Sequence, residues 1–141
     1  MILNKNKKIS IFEYTTNIYY EDTDSSGFVY HASYLKFAER ARSEMIKKIS
    51  PMMIKSFVEG IFLFVVKDLS VSYIKPCKLL DELLIKTKIV KITKCSLSLS
   101  QEIYNNLSIS NIINVKLVWI NSISGRPSKI PLDLISRFSK F

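Results

Sequence analysis

The sequence predicts an α+β fold in which one antiparallel sheet of about five strands wraps round a single long helix. Three observations carry this prediction. Only residues 32–49 combine helical periodicity with the length of a core helix. One β-branched, aromatic segment precedes that helix. After it the chain offers strand patterns in succession, with no second long helical pattern between them.

The elements follow in order. Residues 10–20 are rich in β-branched and aromatic side chains and read as the first strand, and residues 21–27 form a polar loop. In the helix, Tyr34, Phe37, Ala38, Ala41 and Met45 fall on one face and Lys36, Arg40, Ser43 and Lys47 on the other; Pro51 stands just beyond as a stop signal. Residues 61–73 are apolar and β-branched, and Pro76 closes that strand. In residues 83–93, Lys86 and Lys88 share a face but Lys91 has the opposite parity, which requires a bulge near Val90. Residues 95–104 alternate strictly, Leu97, Leu99 and Ile103 against Ser96, Ser98, Ser100 and Glu102, before a turn opened by Asn105-Asn106. Ile113, Val115, Leu117 and Trp119 line one face of the last strand. Val118 and Ile120 make its other face apolar too, so a second copy of the chain is expected to cover it. Residues 124–127 read as a turn and 131–141 as a short closing helix.

Composition narrows the function classes. A chain of 141 residues, 48% hydrophobic and 23% charged, has the size of one domain and buries roughly two-thirds of its unfolded surface. Gly27, Gly60 and Gly125 are too far apart for a glycine-cradled phosphate loop. Cys77, Cys95 and the single His31 cannot assemble a four-ligand zinc site, so no metal is expected. The N-terminal basic residues are followed by no apolar stretch, and the longest apolar run, residues 61–66, is too short to span a bilayer; a cytoplasmic protein without membrane insertion is expected. The net charge of +9 comes from 17 lysines and four arginines, dispersed rather than clustered, which argues against nucleic acid as a partner. The charge is compatible with a merely solvated lysine surface, with a phosphate-bearing small ligand or with an acidic carrier protein.

The most chemical stretch is Tyr19-Tyr20-Glu21-Asp22-Thr23-Asp24-Ser25-Ser26-Gly27-Phe28-Val29-Tyr30-His31. Asp22, Asp24, Ser26 and Gly27 begin like a calcium loop, but the twelfth position is Ser33 where a bidentate glutamate is needed. A phosphatase-type pair of aspartates needs a parallel strand in a doubly wound fold, which this chain lacks. An acidic turn entering a helix N-terminus is electrostatically favourable and is the plain structural alternative.

From Tyr19 to Arg42 the sequence resembles the YbgC-like acyl-CoA thioesterases of the 4-hydroxybenzoyl-CoA thioesterase family. The likeness continues through Phe64-Val65-Val66-Lys67-Asp68-Leu69-Ser70-Val71-Ser72-Tyr73, Pro76 and Leu80-Asp81-Glu82-Leu83-Leu84-Ile85, then fades through the last two strands. The resemblance implies a single hot-dog thioesterase domain over residues 1–141 and a homo-oligomer, dimer or homotetramer, with sites at subunit interfaces. It implies hydrolysis of short- to medium-chain acyl-CoA, with acyl carrier protein as a further partner. No cofactor is implied, because coenzyme A is part of the substrate.

By the same resemblance, Asp24 matches the catalytic carboxylate, as general base or nucleophile, and Tyr20 and the His31 side chain match further active-site positions. Backbone N–H groups near His31 would polarise the thioester carbonyl, and Gly27 would let the loop turn sharply between Asp24 and the helix. Glu39 reads as structural, in a salt pair with Arg42. Lys75, Lys88 and Lys91 are candidates for the coenzyme A phosphates. A non-catalytic acyl-thioester-binding or scaffold module is the alternative.

Overall fold

A computed structural model describes residues 10–141. Strand β1 (Phe12–Asn17) leads through a three-residue 3-10 turn (Tyr20–Asp22) to helix α1 (Ser33–Ile49) and a short helix α2 (Met53–Glu59). Strands β2 (Phe62–Tyr73), β3 (Glu82–Ile92), β4 (Ser96–Asn105) and β5 (Ser108–Asn121) follow, then a two-residue strand β6 (Arg126–Pro127) and helix α3 (Leu132–Lys140). The sheet order is β1-β3-β4-β5-β2, every pairing antiparallel, with β6 added to β5. β1 and β2 are therefore its two edges. The sheet and α1 form the expected α+β hot-dog arrangement.

Helix α1 buries the predicted face: Phe37, Ala38, Ala41 and Met45 are fully buried and Tyr34 nearly so. At one end Tyr34, Phe37, Ala38 and Ala41 meet Leu83, Ile85, Ile103 and Ile113 from the sheet and Ile18 just past the end of β1. At the other end Met45 and Ile46 join Leu97, Leu99, Leu117 and Trp119, closed by Leu134 and Phe138 of α3. Each such large side chain contributes about 1.5–3 kcal/mol through burial. The bulge expected at Val90 is present as a register shift between Ile89 and Lys91.

Four expectations need correction. Pro51 does stop α1, but it also opens α2, because a proline before the first turn costs a helix nothing; the chain after α1 is not strands alone. The first strand ends at Asn17 rather than at residue 20. The residues read as a turn at 124–127 turn earlier, and Arg126-Pro127 pair with β5. Glu39 and Arg42 form no salt pair: Glu39 accepts the Ser43 hydroxyl at 2.7 Å, whereas Arg42 is turned inward.

That inward turn builds a polar cluster inside the core. Arg42 Nη1 donates to Gln101 Oε1 at 2.9 Å, and Gln101 Nε2 donates to the Ala38 carbonyl and to Thr87 Oγ1, each at 2.9 Å. Burial holds the Arg42 guanidinium below its ordinary pKa. The cluster joins α1, β3 and β4, so the helix is fixed on the sheet by directional bonds as well as by packing.

Candidate active site

The loop between β1 and α1 is held at three levels. Asp22 is buried; its Oδ2 accepts the Tyr19 N–H at 3.0 Å and its carbonyl accepts the Tyr30 N–H at 2.8 Å. Thr23 pairs with Val29 across the loop, and Phe28 pairs with Lys78. Between these pairings the chain reverses through Gly27 at φ +83°, a conformation in which a side chain is strained.

Asp24 stands at the tip. Its Oδ1 accepts both the Ser26 N–H, at 2.8 Å, and the Ser26 hydroxyl. Oδ2 has no hydrogen-bond partner among the described residues, and Asp24 is exposed. The Ser26 hydroxyl, and then the Ser26 N–H, hold the Asp24 carboxyl below its ordinary pKa; desolvation opposes them, and the proximity of His31 adds the weakest influence in the same direction as Ser26. Asp24 is thus an ionised carboxylate with one oxygen anchored and the other available.

His31 lies at the entry to α1, exposed, its ring 4.5 Å from that of Tyr30. The turn Tyr30–Ser33 precedes the helix without a side-chain cap. Ser33 N–H donates to the Tyr30 carbonyl at 2.8 Å, and the Tyr73 hydroxyl donates to the His31 carbonyl at 2.9 Å. The N–H groups of His31 and Ala32 are matched to no acceptor among the described residues. They stand at the positive end of the α1 dipole, the place where a developing negative oxygen is best stabilised.

Beside this turn is an open cleft of about 220 Å³ lined by Val29, His31, Tyr34, Tyr73, Ile74, Lys75 and Pro76. Tyr34 closes its inner side: its hydroxyl accepts the Cys77 N–H at 3.1 Å, and burial pushes its pKa up to about 12, so it stays neutral. Lys75 is the only one of the three candidate phosphate-binding lysines that lines the cleft. Lys88 and Lys91 stand on the outer face of β3, opposite the buried Thr87 and Ile89.

The structure places Asp24 on the loop that leads to His31 at the head of α1, with Gly27 shaping the turn between them and the two residues near enough to interact electrostatically; the cleft itself is lined by His31 and not by Asp24. The structure does not bring Tyr20 to them. Tyr20 begins the 3-10 turn, which rotates its side chain into solvent; it is 82% exposed, and its hydroxyl contacts nothing among the described residues. Tyr73 and Ser26 are the participants that sequence reasoning passed over. Ser26, two positions after an aspartate in a glycine turn, carried a readable signal for an aspartate-anchored turn. Tyr73 carried none, because its acceptor lies 42 positions away.

Among the described residues no group of three or more His, Cys, Asp or Glu side chains could hold a metal ion, and no helix is long and apolar enough to cross a membrane.

Comparison with known proteins gives a consistent result. The profile of the Thioesterase superfamily matches residues 26–106, from just after Asp24 to the end of β4. The acyl-CoA thioester hydrolase YbgC of Escherichia coli O6:H1 is 34% identical over 132 residues, 93% of this chain and 98% of that protein. The acyl-CoA thioesterase YbgC of Haemophilus influenzae is 31% identical over 127 residues, 90% of this chain and 93% of its own. Among solved structures, a probable thioesterase from Bartonella henselae superimposes with a TM-score of 0.78 at 32% identity, covering 86% of this chain and all of that one. A thioesterase from Thermus thermophilus, crystallised with coenzyme A and zinc, superimposes with a TM-score of 0.79 at 27% identity, covering 91% of both chains.

Proposed function

The chain belongs to the thioesterase superfamily, and we propose that it hydrolyses short- to medium-chain acyl-CoA thioesters to a free acid and coenzyme A. The observation that carries the reading is the loop and turn that lead into α1. An ionised carboxylate with one free oxygen, Asp24, lies on the loop that enters a turn whose His31 and Ala32 N–H groups are unmatched. A thioester carbonyl needs those two things, a base or nucleophile and a site for its oxyanion.

In the reaction, the carbonyl oxygen lies against the N–H groups of the turn. Water adds to the carbonyl carbon as Asp24 Oδ2 takes its proton, the C–S bond breaks, and the coenzyme A sulfur leaves and is protonated. In the other route Asp24 itself adds to the carbon, expels the thiolate and forms an anhydride that water then opens. In a single turnover in ¹⁸O-water, isotope found in Asp24 establishes the anhydride route, opened at the Asp24 carbon, since general-base hydrolysis leaves none there. His31 orients the water and favours the charged form of Asp24. Tyr20, on its exposed turn, is assigned to the site only once a second subunit or the substrate covers it.

We further assign the protein to the cytoplasm, as a homo-oligomer acting through one hot-dog domain, with Lys75 toward the coenzyme A phosphates, acyl carrier protein as an alternative thioester donor, and no cofactor. The test is free-thiol release from a panel of acyl-CoA esters by the purified protein. Turnover that varies with acyl length supports the reading. Binding of acyl-CoA without thiol release selects the non-catalytic binding module instead.

A further inference from the structure

The turn at the head of α1 presents two N–H groups, and each belongs to a peptide whose carbonyl is held. The His31 N–H shares its peptide with the Tyr30 carbonyl, which the Ser33 N–H holds at 2.8 Å; the Ala32 N–H shares its peptide with the His31 carbonyl, which the Tyr73 hydroxyl holds at 2.9 Å. A trans peptide is planar, so its C=O and N–H point in opposite directions, and fixing one end fixes the other. An amide that accepts a hydrogen bond at its oxygen is also polarised into a better donor at its nitrogen. The first hold is local to the turn. The second comes from a side chain on β2, an edge strand of the sheet 42 positions away, seated by ring contact with Tyr34 at 5.9 Å between centroids.

We infer that Tyr73 is a positioning residue for the thioester carbonyl: its phenol holds the His31–Ala32 peptide so that the Ala32 N–H is presented to the reacting oxygen. The inference rests on the thioesterase reading and deepens it, because the orientation of one oxyanion donor is then set by the edge strand β2 and not by the helix alone. Ser33 N–H cannot replace the phenol, since it is already engaged with Tyr30. A loose peptide would still bind substrate but would present its donor less often in the transition state, which affects kcat more than KM.

Tyr73→Phe keeps the ring and its contact with Tyr34 and removes only the hydroxyl. The expected result is a fall of about tenfold in kcat with KM within about twofold, smaller than the loss on deleting an oxyanion donor outright. A second readout is independent of turnover: the isotope-edited infrared carbonyl stretch of an acyl-CoA analogue whose thioester sulfur is replaced by methylene. The bound ketone is expected to shift to lower frequency in the wild type, with the shift diminished in Tyr73→Phe. Equal shifts in the two proteins, or an unchanged kcat in the variant, overturn the role of Tyr73 and leave the thioesterase reading standing. A wild type that shows neither thiol release nor a shifted carbonyl overturns both.

Discussion

Asp22 and Asp24 are two positions apart in one acidic loop, yet their surroundings separate them completely. Asp22 is 5% exposed and its carboxylate is spent on the Tyr19 N–H, so its work is to hold the loop. Replacing it by alanine is expected to cost about 0.5–2 kcal/mol, the ordinary price of losing a cap. Urea unfolding would measure that loss, and an unchanged midpoint would contradict it. Asp24 is exposed and anchored by Ser26, which favours its charged form. A group with a depressed pKa stays ionised to lower pH, so activity that needs the Asp24 anion is kept above that pKa and lost as pH falls through it. Ser26→Ala removes the larger of the two Ser26 contributions, so the acid limb of kcat/KM should move to higher pH. A limb that stays in place in that variant would mean that another group sets it.

At the scale of elements, α1 is held on the sheet by the cluster of Arg42, Gln101, Thr87 and the Ala38 carbonyl. Gln101→Leu keeps the size but strips Arg42 of its partner in the core. A hydrogen bond to a charged group is worth about 1.5–3 kcal/mol, and a loss of stability in that range is expected from denaturant unfolding; a loss below about 0.5 kcal/mol would show that Arg42 finds water instead. This cluster was not legible in the sequence, because its members lie 59 and 63 positions apart and none belongs to a local pattern. The Val90 bulge was legible, since Lys86, Lys88 and Lys91 break parity on a strand with one buried face. The matching irregularity in β2, between Val66 and Asp68, was hidden in a stretch with no alternation to break. Helix α2 was missed because two turns of helix carry too little periodicity to outweigh a proline read as a stop. In the candidate site, the motif singled out Asp24, His31 and Gly27 as neighbours along one loop, but it could not reveal that Tyr20 turns away or that Tyr73 reaches the His31 carbonyl; both depend on how the 3-10 turn and β2 are set in three dimensions.

For the whole molecule, the decisive feature is the free edge of β2. Its twelve residues expose Phe62, Val66, Leu69 and Tyr73, and an edge of that length invites pairing with another strand. Leu63 and Val65 stand opposite Ile120 and Val118 on the outer face of the sheet, and all four are half-buried and apolar. A second copy of the chain would satisfy both surfaces, so light scattering at micromolar concentration is expected to give a multiple of 16.3 kDa; a 16.3 kDa species alone would contradict this. The central claim nevertheless rests on one carboxylate. Asp24→Asn retains an oxygen to accept from Ser26 and removes the charge and the basicity, so the loop should keep its shape. The measurement is steady-state thiol release from an acyl-CoA ester by the wild type and by Asp24→Asn, with the fold of each checked by circular dichroism. The account predicts a fall in kcat of roughly 10²–10⁴-fold with KM little changed, and a folded Asp24→Asn protein with near wild-type kcat would contradict it.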